Sequence, residues 1–546
     1  MKERISEIRI DPEKVAAEGG GISKEKLMAE LKRRTKKRGS ITIIRESIDA
    51  RRKPDVKLVY TIEIGSEGAS ANPPVSDFPA DDFVSGDTPS NHTLKGRSRP
   101  VIAGFGPCGI FAALVLAEAG MRPIVIERGK AVDERVDDVE RFWRSAGGGR
   151  CGDGSDPGSP DPESNVQFGE GGAGTFSDGK LTTGIKDVRI RKILEEFVRA
   201  GAPKEILYKH KPHIGTDRLR RVVKNLRLRI EELGGEVRFG TRLEDMDIRD
   251  GVLKGVRLSG GNEIEATALI LAIGHSARDT FGMLSDKGFD MKQKPFSIGV
   301  RIEHPQEMIN RVQYGNPQLA EILGPAEYKL SYRCGEDCPG SIAGRGVYTF
   351  CMCPGGRVVN ASTEAGTSVT NGMSNSARDG ENANSALLVD VRTSDYAAFG
   401  GGRYGTEDPL AGVEFQKKYE QLAWQHRTAG GMAQESYGHF KVSEDSVVRK
   451  SLPAFASEAI LEAMPHLGRK LRGFDSDEGI MTAVETRSSS PVRIIRDEKM
   501  EAQMGGRAIG GVIPAGEGPG YAGGIVSAAV DGIKAAEMII AAANRI

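Results

Sequence analysis

The sequence predicts an α/β fold, in which a parallel-sheet domain is split by an inserted α+β domain and preceded by a small N-terminal α+β domain. Three observations carry this. Residues 100–103 form a short apolar strand that runs into a glycine-rich turn and then an apolar helical pattern over 110–119. A second glycine-rich turn, at 510–524, also leads into a small-residue helix, which reaches residue 543. Residues 291–477 lie between the two with strand patterns of their own. Length agrees, because 546 residues is roughly three to four times the usual length of one domain and builds cores large enough to enclose a cofactor.

Taken in order, residues 1–65 read as strand, helix, strand, strand (5–10, 24–34, 41–48, 56–64), and the two later strands alternate apolar and polar residues as half-buried strands do. From 66 to 98 the chain turns to Ser, Pro, Asp, Asn and Gly without apolar periodicity, the mark of a solvated linker. The parallel-sheet domain then occupies 99–290, yields to the insertion at 291–477, and resumes at 478–546. Stretches 147–162 and 393–407 share the linker's composition and are expected to be exposed loops.

Charge sets bounds on partners. Lys plus Arg and Asp plus Glu are equal at 76 each, so the whole molecule has no bias toward nucleic acid or an anionic membrane. Residues 1–60 are the exception, with 17 Lys/Arg against 10 Asp/Glu. Six cysteines in so long a chain make no disulfide framework. The opening Met1-Lys2-Glu3-Arg4 begins no apolar signal region, and no run of 18 apolar residues occurs, so a soluble cytoplasmic protein is expected.

Gly104-Phe105-Gly106-Pro107-Cys108-Gly109 places GxGxxG in the strand–turn–helix context of a dinucleotide site. Gly104 permits the tight turn, Gly106 lets the backbone approach a pyrophosphate, and Gly109 lets the helix sit close to the strand, while Pro107 and Cys108 complete the cradle. The helix start offers free N–H groups and partial positive charge to the phosphates. A second strand over 123–126 ends in Glu127-Arg128, and Glu127 stands 18 residues after Gly109. A carboxylate there accepts from ribose hydroxyls and repels a 2′-phosphate. This Rossmann-like fingerprint serves FAD and NAD alike.

Three distant segments point to FAD. The first is the glycine-rich run 168–181, containing Gly172, Gly174, Ser177 and Lys180. The second is the apolar strand 267–273, which ends in Gly274-His275-Ser276-Ala277-Arg278 and follows short strands at 243–248, 252–258 and 263–266. The third is 510–525, containing Gly516, Glu517, Gly523, Gly524 and Ile525. Here the chain resembles the two-dinucleotide-binding-type flavoproteins, and more closely a group of bacterial and archaeal FAD-dependent dehydrogenases, over most of 97–546. The resemblance implies that the 168–181 loop lies along the pyrophosphate and the isoalloxazine edge, with Gly172, Gly174 and Ser177 donating and Lys180 adding charge. It implies that the backbone near Leu243 contacts adenine and that Gly274 passes close to the cofactor. It also implies that Glu517, where many relatives carry Asp, holds the ribityl chain, and that the helix starting near Gly523, Gly524 and Ile525 faces the flavin N1/C2 edge.

The catalytic candidates are Arg301, Arg487, His275 and His439. Arg301, in a strand over 295–303, meets an anionic substrate group or forms a structural ion pair. Arg487, with Ser489, contacts flavin or substrate. The two histidines have a suitable ordinary pKa for proton donation, although lone histidines are more often structural. Cys351-x-Cys353 makes a strained ring if oxidised, which argues against a thiol relay. Cys334, Cys338, Cys351 and Cys353 match no common ligand spacing, so no metal is expected. The absence of a second GxGxxG in strand–turn–helix context after residue 130 argues against a built-in NAD(P)H domain; electrons come from the substrate or from transient NAD(P)H or a protein donor.

These observations support an FAD-dependent oxidoreductase that passes hydride between an organic substrate and flavin N5, with no membrane partner. The alternative is a flavoprotein that acts on or binds RNA through residues 1–65, where Lys32-Arg33-Arg34-Thr35-Lys36-Lys37-Arg38 and Arg51-Arg52-Lys53 concentrate charge. Such runs are usually solvated helix ends, and no aromatic stacking motif accompanies these.

Overall fold

A computed structural model of the chain describes residues 3–37, 39–65, 98–145, 159–428 and 431–544. The linker expected at 66–98 falls outside the described residues except for Ser98, and of the loop expected at 147–162 only 159–162 are described.

The N-terminal unit comprises β1 (Glu3–Ile10), α1 (Lys24–Thr35), β2 (Ser40–Asp49) and β3 (Lys57–Gly65), with β3 central and antiparallel to both neighbours. The Ser23 hydroxyl caps α1 by accepting the Lys26 N–H. Leu27 and Leu31 bury one helix face against Ile10, Ile41, Tyr60 and Ile62. The unit is fastened to the rest of the chain, since Glu46 exchanges backbone hydrogen bonds with Tyr208 and His210, and Gly21 donates to the Glu321 carbonyl. Several of its basic residues are paired within the unit: Arg33 and Arg34 share Glu30, Arg51 pairs with Asp49, and Lys37 pairs with Glu3.

The parallel-sheet domain opens with β4 (Val101–Ala103), α2 (Pro107–Glu118), β5 (Ile124–Ile126), α3 (Val132–Ser145), α4 (Arg189–Arg199), α5 (Thr216–Glu232) and β6 (Glu236–Arg238). A separate three-stranded antiparallel sheet of β7 (Leu243–Arg249), β8 (Val252–Leu258) and β9 (Glu263–Glu265) follows. The chain then returns through β10 (Leu269–Leu271) and α6 (Arg278–Asp286). The fifth parallel strand, Val512–Pro514, arrives from the far end of the sequence and pairs with β10, giving the order Val512–Pro514, β10, β4, β5, β6. α2 is apolar almost all round and accordingly buried, between the sheet, α5 and the C-terminal helix Ile525–Asn544.

The chain leaves and re-enters this domain through a two-stranded ribbon, β11 (Met291–Gln293) against Val492–Ile494. The insertion is a six-stranded antiparallel sheet with β12 (Phe296–Pro305) inside it, in the order Ser331–Arg333, Gly346–Cys353, Asn382–Val391, β12, Ile480–Glu485, Ala433–Ser436. Because Ile480–Glu485 pairs with β12, the return to the parallel domain falls after Glu485 and not at 478. The stretch 393–407 also differs from a plain exposed loop. It holds the helix Thr393–Tyr396, and Tyr396 is fully buried against Phe296 and Phe415. One aromatic ring with a pocket beneath it outweighs the composition around it. Among the described residues no helix is long and apolar enough to cross a membrane.

Candidate functional site

Four segments far apart in sequence meet where β4, β10 and Val512–Pro514 end. Gly104 has φ +105°, and a Cβ there would collide with the Ala272 carbonyl that follows β10, so only glycine closes this turn. A Cβ on Gly109 would strike the Gly104 carbonyl, which is why α2 can begin so near the strand. Gly106 is the N-cap and Pro107 the first helical residue, so the first-turn N–H groups of Cys108 and Gly109 have no acceptor within α2. Gly172 packs on Gly106, with its Cβ position 3.0 Å from the Gly106 Cα, while Gly174 lies against Pro107 and Ile525. The Gly516 Cβ position is 2.9 Å from the Cβ of Cys108, and that of Gly518 is 2.6 Å from the Gly274 carbonyl. Gly274 and Gly523 face open space. The predicted turn, loop, strand end and C-terminal turn therefore meet at the carboxyl edge of a parallel sheet, where such folds bind ligands.

Glu127 is buried behind this turn. Its Oε2 accepts the Phe105 N–H at 2.8 Å, and its Oε1 accepts those of Gly129 and Gly169 at 2.9 Å each. A carboxylate has about four acceptor positions, so one remains for a ribose hydroxyl; the other three knit the turn to the 168–181 loop, a task that sequence reading did not give it. Arg128 lies 4.4 Å over the Phe168 ring and pairs with Asp279. Leu243 is buried at the start of β7.

Two residues that the sequence reading missed hold the loop itself. Arg135, on α3 and 0% exposed, donates to the carbonyls of Asn165, Val166, Glu170 and Gly172 at 2.7–3.0 Å. Burial lowers its pKa to about 9, so it stays cationic. Glu170 accepts the Val132 N–H and the Arg227 guanidinium. Arg135 did carry a signal, for it sits on the apolar face defined by Val132, Val139 and Phe142. Ser177 turns its hydroxyl to the Gly174 carbonyl and Gly179 N–H. Lys180 is placed elsewhere than expected: its ammonium is 2.9 Å from Asp178, and Arg378 and Glu327 of the insertion complete the cluster.

In the C-terminal turn, Gly516 donates its N–H to Asp531, which also takes both arms of Arg496. Asp531 lies in mid-helix, where no local pattern betrays it. The Glu517 carboxylate is half-buried and makes no hydrogen bond among the described residues; burial raises its pKa to about 7 against the opposing pull of Lys294.

The catalytic candidates need correction. Arg301 is fully buried and committed to Glu485, the Cys351 carbonyl, Asn384 and Asn371, so it is an internal ion pair with no donor left for a substrate anion. Arg487 and Arg278 close on Glu420, with Arg487 also donating to Ser276 and Thr363. The two cations outweigh the burial penalty and hold Glu420 well below the usual carboxylate range. This network welds α6 and the 486–487 segment to the insertion. His275 adjoins it with Nδ1 2.9 Å from Ser276 Oγ, and burial together with Arg487 and Arg278 lowers its pKa to about 3, which leaves it neutral and no proton donor near pH 7. His439 stands exposed, paired with Glu435. Among the described residues no group of three His, Cys, Asp or Glu is arranged to hold a metal.

Residues 295–488 match the family model for an FAD-dependent protein, C-terminal domain-like, and residues 1–65 match a domain of unknown function (DUF8436). An uncharacterised protein of Clostridium beijerinckii is 43% identical over 523 residues, spanning 92% of each chain. The chain belongs to this FAD-dependent family, and FAD is its cofactor. Solved structures resemble the flavoprotein more remotely. The flavin-dependent brominase Bmp2 is 12% identical, over 82% of this chain and 80% of its own, with a TM-score of 0.37. The L-proline dehydrogenase from P. horikoshii is 11% identical, over 82% and 94%, with a TM-score of 0.31. The flavoprotein's own residues fit FAD: a glycine turn backed by free helix N–H groups for the pyrophosphate, an acceptor left on Glu127 for ribose, an unpartnered Glu517 carboxylate, and open space beside Gly274 and Gly523.

Proposed function

We propose that this flavin-dependent enzyme is an oxidoreductase in which an organic substrate passes hydride to the flavin, where the parallel domain meets the insertion. The observation that supports this reading is the convergence of the Gly106, Gly172, Gly274 and Gly516 segments at one edge of the parallel sheet. FAD, when bound, supplies a two-electron acceptor. The chain's residues do the rest. The α2 N-terminus would hold the pyrophosphate, Glu127 and Glu517 would orient ribose and ribityl hydroxyls, and the Arg278–Glu420–Arg487 weld fixes the insertion against the parallel domain, so that a substrate would meet a rigid wall. His275 is held neutral and fits an acceptor role better than a donor one.

The test is anaerobic reduction of the purified holoprotein by a library of small metabolites, with NADH and NADPH as separate arms. Bleaching of the flavin's visible band by an organic donor is the expected result. Bleaching by a nicotinamide alone would assign the organic molecule the acceptor's part. A flavin that dithionite bleaches and no metabolite or nicotinamide touches would defeat the proposal.

A further inference from the structure

The insertion's sheet carries a polar cluster that hydride transfer leaves unused. By register Cys353 lies opposite Asn384, and Asn384 opposite Glu303, so these residues and Arg301 share one face. The strand Gly346–Cys353 slips register between Phe350 and Cys353, and at this bulge Cys351 holds φ +45°. An L-residue keeps that left-handed conformation only where its surroundings impose it. The bulge brings a second thiol into the cluster, within hydrogen-bonding reach of the Cys353 thiol, whose own Sγ is 3.3 Å from the Cys351 carbonyl. Arg301 donates to that same carbonyl at 2.9 Å. Cys353 is fully buried, Cys351 is half-buried, and the adjoining Phe350 is 39% exposed, so approach from solvent is on the Cys351 side. Asn384, 0% exposed, spends its Oδ1 on Arg301 and leaves its Nδ2 donor without a partner. Buried donors are seldom left unpaired, and one beside a constrained, cation-flanked thiol marks a place built to receive an acceptor.

We propose that Cys351 is a nucleophilic thiol site that takes small disulfides. The Cys351 thiolate attacks one sulfur of the incoming disulfide, a new sulfur–sulfur bond forms, and the original one breaks. The departing thiolate leaves with the electron pair and takes its proton from solvent. Cys353 keeps its proton and hydrogen-bonds to the attacking sulfur, so no ring between the two cysteines is required. A disulfide suits the site because its leaving group is an anion: the idle Asn384 amide is the free donor at hand, Lys180 stands nearby, and Arg301, whose donors are all committed to protein acceptors, contributes its charge alone.

The charged groups facing Cys351 are Cys353 on its own strand, Arg301 and Glu303 on β12, Glu485 on the neighbouring strand, and Asp178 and Lys180 on the loop from the parallel domain. The hydrogen bond from Cys353, then Arg301 and Lys180, outweigh burial and Asp178 and lower the Cys351 thiol below the usual range.

Holoprotein as purified is treated with iodoacetamide between pH 5 and 9, and alkylation is followed cysteine by cysteine by peptide mass mapping. Cys351 is expected to react with a midpoint below the value of about 8.5 of an ordinary thiol, and at about pH 6 faster than such a thiol even once the lower nucleophilicity of a more acidic thiol is counted. Cys353→Ala should move the midpoint upward and Cys353→Ser should not, with an unchanged flavin spectrum certifying the fold of both. In a second arm, oxidised glutathione should form a mixed disulfide at Cys351 and spare the half-buried Cys338. A Cys351 midpoint above 8 overturns the proposal, and so does a low midpoint without any mixed disulfide at Cys351.

Discussion

The Cβ position of Gly516 lies 2.9 Å from the Cβ of Cys108, and that of Gly532 lies against the Cys108 backbone carbonyl, so the first turn of α2 packs on both the C-terminal turn and the helix that follows it. Cys108 is buried, and burial pushes its thiol well above the usual range, which keeps it neutral and inert. Gly516→Ala meets both this contact and a φ of +85°. It should lower apoprotein stability by about 1–3 kcal/mol and weaken FAD, whereas Cys108→Ser should do little to FAD. Thermal melts of apoprotein and flavin fluorescence titrations check both.

Glu127 separates two readings of the same acid. As a ribose acceptor alone it would matter only when FAD is present. In the structure it also satisfies the N–H groups of Phe105, Gly129 and Gly169. Glu127→Ala should therefore destabilise the apoprotein too, by about 1–3 kcal/mol for each buried donor that finds no water. A variant apoprotein that melts with wild type would show the three bonds to be dispensable.

How much of this was legible follows from where each signal resides. The 104–109 turn is local chemistry, a strand, three glycines and a helix in succession, and its residues sit where the spacing put them. The 168–181 and 510–525 segments were legible as unusual, but their approach to Gly106 and Cys108 needs the sheet to bring them together. Arg301, Arg487 and Lys180 were legible as charges and not as partners, because Glu485, Glu420 and Asp178–Arg378 are settled by tertiary packing. Asp531 gave no signal, since an acid in mid-helix reads as a solvated face until Arg496 and the Gly516 N–H are seen around it.

Glu517 should give the apoprotein a pH dependence of its own. Its folded pKa, about 7, stands above the 4.5 of an unperturbed glutamate side chain. The stability linked to its protonation is thus fully present below 4.5 and lost as pH rises through 7. After discounting for its partial exposure, the loss should be about 1–2 kcal/mol. Glu517→Gln should remove that share of the slope, so the difference in urea midpoint between variant and wild type should grow from pH 5 to pH 8 in favour of the variant. A constant difference across that range would place the carboxylate in water.

Arg135 offers the sharpest test of how the cofactor cleft is held. All four of its acceptors are backbone carbonyls of 165–172, and its guanidinium lies 4.9 Å over the Phe176 ring, so it braces the loop through carbonyls, with Glu127 and Glu170 near enough to favour its charge. Arg135→Met keeps the apolar stem but leaves those carbonyls unpaired, and Arg135→Lys keeps the charge with a single point donor that cannot span them. Both should weaken FAD, Met more than Lys, by about tenfold to a hundredfold, which corresponds to about 1.4–2.8 kcal/mol. Because the loss acts through the loop, amide exchange of 165–172 in the apoprotein should quicken in step with the lost affinity, while that of β12 stays as it was. If Arg135→Met binds FAD like wild type although 165–172 exchanges faster, the loop is not part of the cofactor site. If neither quantity moves, the carbonyl clamp does not hold the loop.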